Sequence, residues 1–340
     1  MADRVVPLQA RPRRATGRAN GGRILRRFGT LFGFLIVVSV FWSQRPETFM
    51  TVRNWLNITQ QVSILGVVAF TMTVVMSLGD FDLSVGAMAS LAGIVAALLF
   101  RDGQAVWIGV GAALGVGLLG GLVNGLLVSY VGISPFVATL GMLTLFSGVA
   151  FYISSGTTIF GRAIPSEFSD FARGGIPLGE ISGQSVTIPN LTLLALLVLV
   201  VVWVLMEQTT FGRRLYAIGG NREAARLAGV RVRRLRLVAF MITGMGAATA
   251  GLMLVSRLAS ANPTQGDGLM LNAIAAVFLG MTMSEEGEPH VSGTLVGVLI
   301  LGVLANGLTQ MQVDSYIQQI LTGAIIILAV MLSSITRRNV

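Results

Sequence analysis

Long apolar runs separated by short polar segments are the sequence feature that most constrains how this chain can fold. Of its 340 residues, 54% are hydrophobic and only 11% are charged, whereas a soluble domain has about 25% charged residues. A run of about 20 apolar residues is long enough to cross a bilayer as a helix. Ten runs predict an all-α polytopic membrane protein with about ten transmembrane helices, at Phe28–Trp42, Ile58–Leu78, Leu83–Phe100, Val106–Val128, Phe136–Ile153, Asn190–Met206, Leu237–Ser256, Leu269–Met283, Val291–Leu308 and Ile317–Ile335.

The distribution of arginine predicts that both termini are cytoplasmic, since cytoplasmic loops carry an excess of basic residues. Residues 1–27 contain eight arginines with scattered glycine and proline, which predicts a disordered basic tail before a transmembrane domain over 28–340. Segment 207–236 contains eight more and is predicted to be a cytoplasmic loop. Loop 155–188 has two arginines and three acidic residues, which predicts a periplasmic loop.

An internal repeat relates the two halves of the chain. A shift of 182 residues places Asn124-Gly125-Leu126 on Asn306-Gly307-Leu308, together with several glycines of the same spans. The halves cover about 28–154 and 190–336 with five spans each, and an odd number of spans gives them opposite orientations. Inverted repeats of this kind are typical of transporters, although matches by chance in helices rich in glycine and leucine are the alternative.

Missing residue types exclude several functions. All 24 basic residues are arginine, so the chain has no lysine for an ATP-binding P-loop. It has no cysteine and one histidine, and no metal site or cofactor is predicted for this chain. No nucleophile–base pair suggests an enzyme. Nucleic-acid binding is disfavoured because the arginines lie between apolar spans.

Ionisable residues lie at the ends of the predicted spans, which disfavours an ion-coupled carrier with buried relay groups. Unwound backbone can bind sodium without carboxylates, so a secondary or facilitative carrier stays open as the alternative.

A short helix is predicted inside the arginine-rich segment. Asn221 can cap its first N–H groups, and Gly229 can take the left-handed position that stops it. Small residues between charges suit docking of another protein, whereas a solvated basic loop that only sets topology is the alternative. The predicted coupling helix comprises Asn221, Arg222, Glu223, Ala224, Ala225, Arg226 and Gly229.

Neutral polar residues inside the spans are the candidates for a translocation path. Gln61, Asn124, Thr139 and Asn306 could line a path for a neutral polyhydroxy solute. The alternative for each is hydrogen bonding between helices, since amides within lipid need partners.

The turn over residues 79–86 contains two carboxylates, Asp80 and Asp82. Asp82 is predicted to cap the helix that follows, where the helix dipole favours a carboxylate. The alternative is a gate or a contact with a cytoplasmic partner.

Four stretches together resemble the permease subunits of bacterial ribose/arabinose/xylose/galactose-type ABC importers: residues 80–86 (DFDLSVG), 124–140, 211–229 and 292–308. The spacing from Glu223 to Gly229 is similar to that of the importer loop whose helix docks into the ATPase. The resemblance implies a multi-pass protein of the bacterial inner membrane that translocates a monosaccharide or related polyol.

The same resemblance implies several partners. These are a separate cytoplasmic ATPase that binds ATP and Mg²⁺, a periplasmic sugar-binding protein, and a second permease copy or paired homologue. One departure is the acidic stretch 284–290, where the family has a glycine-rich turn; its carboxylates are expected to face the cytoplasm and pair with arginines.

Overall fold

The computed structural model describes residues 18–181, 184–284 and 287–338, and these residues are mostly helical. Two π-helical turns, Leu127–Val131 and Val204–Gln208, extend the fourth and seventh helices. The helices are α1 (Arg18–Gln44), α2 (Val52–Met76), α3 (Val85–Arg101), α4 (Val106–Leu126), α5 (Pro135–Ser154), α6 (Ser166–Arg173), α7 (Asn190–Trp203), α8 (Thr210–Gly220), α9 (Arg222–Leu227), α10 (Val232–Leu258), α11 (Asp267–Met281), α12 (Val291–Gln310) and α13 (Ser315–Arg338).

Each predicted span overlaps one of these helices. Among the described residues, six helices are long and apolar enough to cross a membrane: Val52–Met76, Val106–Val131, Pro135–Ser154, Asn190–Gln208, Val232–Leu258 and Val291–Gln310. The second and fourth of these include the π-helical turns that extend α4 and α7. Three apolar helical stretches are shorter, namely Leu31–Gln44, Val85–Arg101 and Asp267–Met281.

The first helix begins earlier than the sequence suggests. Residues 18–27, predicted to belong to a disordered tail, form the start of α1, and residues 1–17 lie outside the described part of the chain. Residues 18–27 contain no proline, so a helix over the apolar run can continue backwards through its arginines and leucine, which are good helix formers.

Two small sheets correct the all-α prediction. Strand β1 (Ile159–Phe160) pairs antiparallel with β4 (Ser260–Ala261), and β2 (Gly175–Ile181) pairs with β3 (Gln184–Pro189). The stretch from Val186 to Ile188 is β-branched, which favours a strand. Of the four strands that the described residues form, β1 and β2 lie within the predicted loop 155–188, and β3 ends one residue beyond it, at Pro189. A short 3₁₀ turn at Gly161–Ala163 follows β1.

Helix α6 of that loop packs on the ends of three long helices. Phe168 lies with its ring centroid 5.0 Å from that of Phe100 in α3. Its carbonyl accepts a hydrogen bond from Ser256 Oγ of α10 at 2.5 Å. Gln60 of α2 donates to the Ala172 carbonyl at 3.0 Å. The loop is therefore a packed part of the bundle.

Small residues allow α10 to lie directly against α4. A Cβ atom at Gly117 would overlap the Gly244 carbonyl oxygen, and one at Gly121 would overlap the Phe240 carbonyl oxygen. Close approach of backbones over glycine is a common way to join helices in membranes.

The long helices α2 and α10 each pack against helices of the opposite half of the chain. Helix α10 contacts α3 and α4, while α2 contacts α11 and α12. A shift of 182 residues moves α2 onto α10, and it moves α3 and α4 onto α11 and α12. The pattern of contacts is therefore repeated in the two halves.

Candidate coupling site at the arginine-rich segment

The predicted helix between Asn221 and Gly229 is confirmed as α9. Asn221 Oδ1 accepts a hydrogen bond from the Ala224 N–H at 2.9 Å, which satisfies one of the free donors of the first turn. Gly229 has a φ of +81°, and the Val230 N–H donates to the Ala225 carbonyl at 3.0 Å. These are the contacts of a left-handed helix stop. The docking role of this helix stays a prediction.

Helix α9 presents one large apolar side chain to its surroundings. Leu227 is 79% exposed, whereas Ala225 is buried against the rest of the chain. Arg226 and Glu223 form an exposed ion pair one turn apart, at 2.6 Å. Leu227 and this ion pair therefore lie together on the outer surface of α9.

Helix α8 holds α9 next to the turn between α2 and α3. The Thr209 hydroxyl accepts a hydrogen bond from the Phe211 N–H at 3.1 Å and caps α8. Near its other end, Gly219 approaches the Ser77 carbonyl so closely that a Cβ atom would overlap it. Only glycine fits at this contact, which fixes α8 against the turn.

Asp80 is the centre of an ion cluster that joins this turn to α9 and α10. Its buried carboxylate accepts two hydrogen bonds from Arg236, one from Nε to Oδ2 and one from Nη2 to Oδ1 at 2.8 Å. It also accepts one from Arg222 Nη2 at 3.2 Å. Arg236 Nη1 donates in turn to the carbonyl of Val128, in the π-helical turn after α4.

The sequence prediction named Asp80 but not its partners. A carboxylate in an apolar surrounding needs a counter-charge, which was the available signal. It could not select one arginine among the eight of the segment.

Asp82 makes a different set of contacts from those predicted. Its Oδ1 accepts hydrogen bonds from the Ser84 N–H at 2.9 Å and the Ser84 hydroxyl at 2.6 Å. The residue that precedes α3 is Ser84, so Asp82 stabilises the turn before the helix and is not its N-cap. Burial raises the pKa of the Asp82 carboxyl, while hydrogen bonds from Ser84 and Asn124 oppose that rise.

Asn124 belongs to the same buried polar cluster. Its Nδ2 donates to Ser84 Oγ at 2.8 Å and to Asp82 Oδ2 at 3.3 Å. Its Oδ1 has no hydrogen-bond partner among the described residues. Asn124 therefore links α4 to the turn between α2 and α3 through hydrogen bonds. Hydrogen bonding of this kind was the alternative to a role in the translocation path.

The other path candidates lie apart from this cluster. Gln61 is exposed on α2, and Thr139 is buried and donates to the Pro135 carbonyl at 2.8 Å. Asn306 is half-buried and accepts a hydrogen bond from Gln310 at 3.0 Å. Within the described ranges no hydrogen bond joins any two of the four candidates, so their role in a path stays a prediction.

Glu288, in the acidic stretch between α11 and α12, lies close enough to Tyr216 of α8 to act on its phenol. Glu285 and Glu286 are outside the described residues, whereas Glu288 is described. Burial raises the pKa of the Tyr216 phenol, and the carboxylates of Glu207 and Glu288 raise it further. The Tyr216 hydroxyl lies 3.3 Å from Glu207 Oε1.

Among the described residues no group of three or more histidine and acidic side chains could hold a metal ion.

The long apolar helices of the bundle define a multi-pass helical membrane protein. Residues 54–330 match the profile of the family described as branched-chain amino acid transport system / permease component, and the chain belongs to this family.

Curated relatives cover nearly the whole chain. It is 38% identical to the ribose import permease protein RbsC of Bacillus subtilis (strain 168), over 91% of this chain and 93% of that protein. It is 34% identical to the L-arabinose ABC transporter permease protein AraH of Azospirillum brasilense, over 96% and 93%. It is 32% identical to the xylose transport system permease protein XylH of Escherichia coli (strain K12), over 90% and 91%.

A solved structure has a similar fold. It is described as an inward-facing conformation of an ABC transporter of the metal-chelate type, with a TM-score of 0.52 and 14% sequence identity. The match covers 94% of this chain and 100% of that chain. At this identity the similarity concerns the fold alone.

Proposed function

We propose that this chain is the permease subunit of an ATP-driven ABC importer that translocates a monosaccharide or related polyol across the bacterial inner membrane. The similarity to permeases named for ribose, arabinose and xylose, over at least 90% of this chain, carries the proposal. The neutral polar residues of the spans suit an uncharged solute with many hydroxyl groups.

ATP is hydrolysed in a separate cytoplasmic subunit that holds the nucleotide and Mg²⁺. The absence of lysine supports this division of labour, because a P-loop needs a lysine on the phosphates. Helix α9 docks into that subunit through exposed Leu227 and the charges beside it. The ion cluster at Asp80 lies directly behind the docking helix.

The membrane topology follows from the same proposal. About ten helices form an inverted five-plus-five repeat, with both termini and segment 207–236 in the cytoplasm. The repeated contacts of α2 and α10 with the opposite half support the two-fold relation. Loop 155–188 then faces the periplasm, where its packed α6 and hairpin meet the sugar-binding protein.

The proposal is tested by uptake into proteoliposomes that contain the permease, its ATPase and its binding protein. D-ribose, L-arabinose, D-allose and D-xylose are offered with and without ATP inside. We expect uptake of at least one sugar, and this uptake should stop when ATP is left out. Leu227→Asp should abolish the uptake, because it places a carboxylate in the docking surface. Leu227→Met, which keeps an apolar side chain of similar volume at the same position, serves as the control. Uptake driven by a proton gradient alone would favour the secondary carrier instead.

A second permease copy is expected to pack on the exposed face of α5. This face carries Leu140, Leu145 and Tyr152, and Gly141 and Gly148 lie open on it with nothing near their Cβ positions. Open glycines on an apolar helix permit close approach of another helix in a membrane.

Disulfide cross-linking tests this arrangement, and the chain contains no cysteine that would interfere. We expect Gly141→Cys or Gly148→Cys to give a covalent dimer in native membranes under mild oxidation. Leu197→Cys on the exposed face of α7 is the control and should stay monomeric. A dimer from Leu197→Cys, with none from the two α5 variants, would move the interface away from α5.

A further inference from the structure

The two arginines on Asp80 hold it in different ways. The Arg236 side chain is 11% exposed and bonds the carboxylate through two nitrogens. The Arg222 side chain is 48% exposed and bonds it through one nitrogen, at 3.2 Å. Breaking the buried pair would leave a buried charge without compensation, whereas water and salt weaken the half-exposed pair. The Arg222 contact is therefore the one that can open and close.

This contact lies where α9 meets the bundle. Arg222 is the first residue of α9, directly after the Asn221 cap, so a displacement of this short helix moves Arg222 with it. Asp80 lies on the segment that leads into α3. Through Arg236 the same carboxylate is joined to the start of α10 and to the end of α4. One carboxylate therefore connects α9 with three elements of the bundle.

We propose that the ion pair between Arg222 and Asp80 transmits movement of α9 to the helical bundle, with Arg222 as a positioning residue for the coupling of ATP hydrolysis to transport. The inference rests on the proposed function, and it adds a defined link to it. While the pair is closed, displacement of α9 by the docked ATPase shifts Asp80 and the ends of α3, α4 and α10 together. With the pair removed, α9 moves alone and ATP is hydrolysed without transport.

Two arginines on the same short helix allow a matched comparison. Arg222→Gln and Arg226→Gln each remove one positive charge and one ion pair, but only the first pair reaches the bundle. In the reconstituted importer we expect Arg222→Gln to lower sugar uptake per ATP hydrolysed on the order of tenfold, the scale of a typical coupling between sites. Arg226 belongs to the docking surface, so Arg226→Gln should lower uptake and hydrolysis together and leave their ratio near that of the wild type. Arg222→Lys keeps the charge and should retain part of the coupling.

A second readout separates this inference from the proposed function. A nitroxide is attached to Ala228→Cys, on the exposed end of α9, in the purified permease alone. We expect its mobility to rise in the Arg222→Gln variant and not in Arg226→Gln. Equal mobility in the two variants, or an equal ratio of uptake to hydrolysis, would overturn the inference. If the wild-type importer takes up no sugar with ATP, the proposed function fails, and the nitroxide still decides whether Arg222 holds α9.

Discussion

The substitution Asp80→Ala is expected to lower the amount of folded permease in the membrane to a small part of the wild-type amount. The substitution leaves the Arg236 guanidinium buried without its carboxylate. Breaking a buried ion pair from one side costs about 3–5 kcal/mol, a large part of the 5–15 kcal/mol that typically stabilises a fold. The measurement is the yield of monodisperse protein in mild detergent, together with its thermal unfolding temperature.

The control for Asp80→Ala is Asp102→Ala. Asp102 pairs with Arg101 at 3.4 Å, and both side chains are more than half exposed. Exposed pairs contribute less than about 1 kcal/mol, so this variant should fold and unfold like the wild type. Equal stability of the two variants would contradict the assignment of Asp80 as the centre of a buried cluster.

The substitution Gly117→Leu is the second change with a large expected effect on stability. Its side chain would have to enter the contact between α4 and α10, where the Gly244 carbonyl and the Ala248 methyl group already lie against the Gly117 position. Backbone atoms cannot turn aside as a flexible side chain can. We expect a loss of about 3 kcal/mol, the upper range for overpacking, measured as a fall in the thermal unfolding temperature.

Gly111→Leu on the same helix is the matched control. Gly111 is exposed and has nothing within 4 Å of its Cβ position, so leucine there meets open space. Replacing glycine by a better helix former should leave stability unchanged or raise it slightly. If Gly111→Leu lost as much stability as Gly117→Leu, the effect would belong to α4 itself and not to its contact with α10.

Features with a local cause could be predicted from the sequence. The long spans follow from apolar composition alone, and α9 follows from a capping asparagine and a stopping glycine eight residues apart. Because each depends on neighbouring residues, no knowledge of the tertiary structure was needed. Membership of a permease family was likewise readable from short motifs.

Features that depend on distant contacts could not be predicted in the same way. Asp80 and Arg236 are 156 residues apart, and several arginines of the segment were equally plausible partners. Asp82 was interpreted as a helix cap because the position of Ser84 in the turn was unknown. The pairing of β1 with β4 joins two-residue strands that have no periodicity of their own.

The π-helical turn after α4 constrains how the protein can move. Gly132 and Ile133 both donate their N–H groups to the Leu127 carbonyl, while the neighbouring Val128 carbonyl accepts from Arg236. The Arg236 guanidinium thus joins the C-terminal end of α4, the N-terminal end of α10 and the segment before α3. In an importer that opens alternately to the two sides of the membrane, we expect these helix ends to move together, with the bending in the connections outside them.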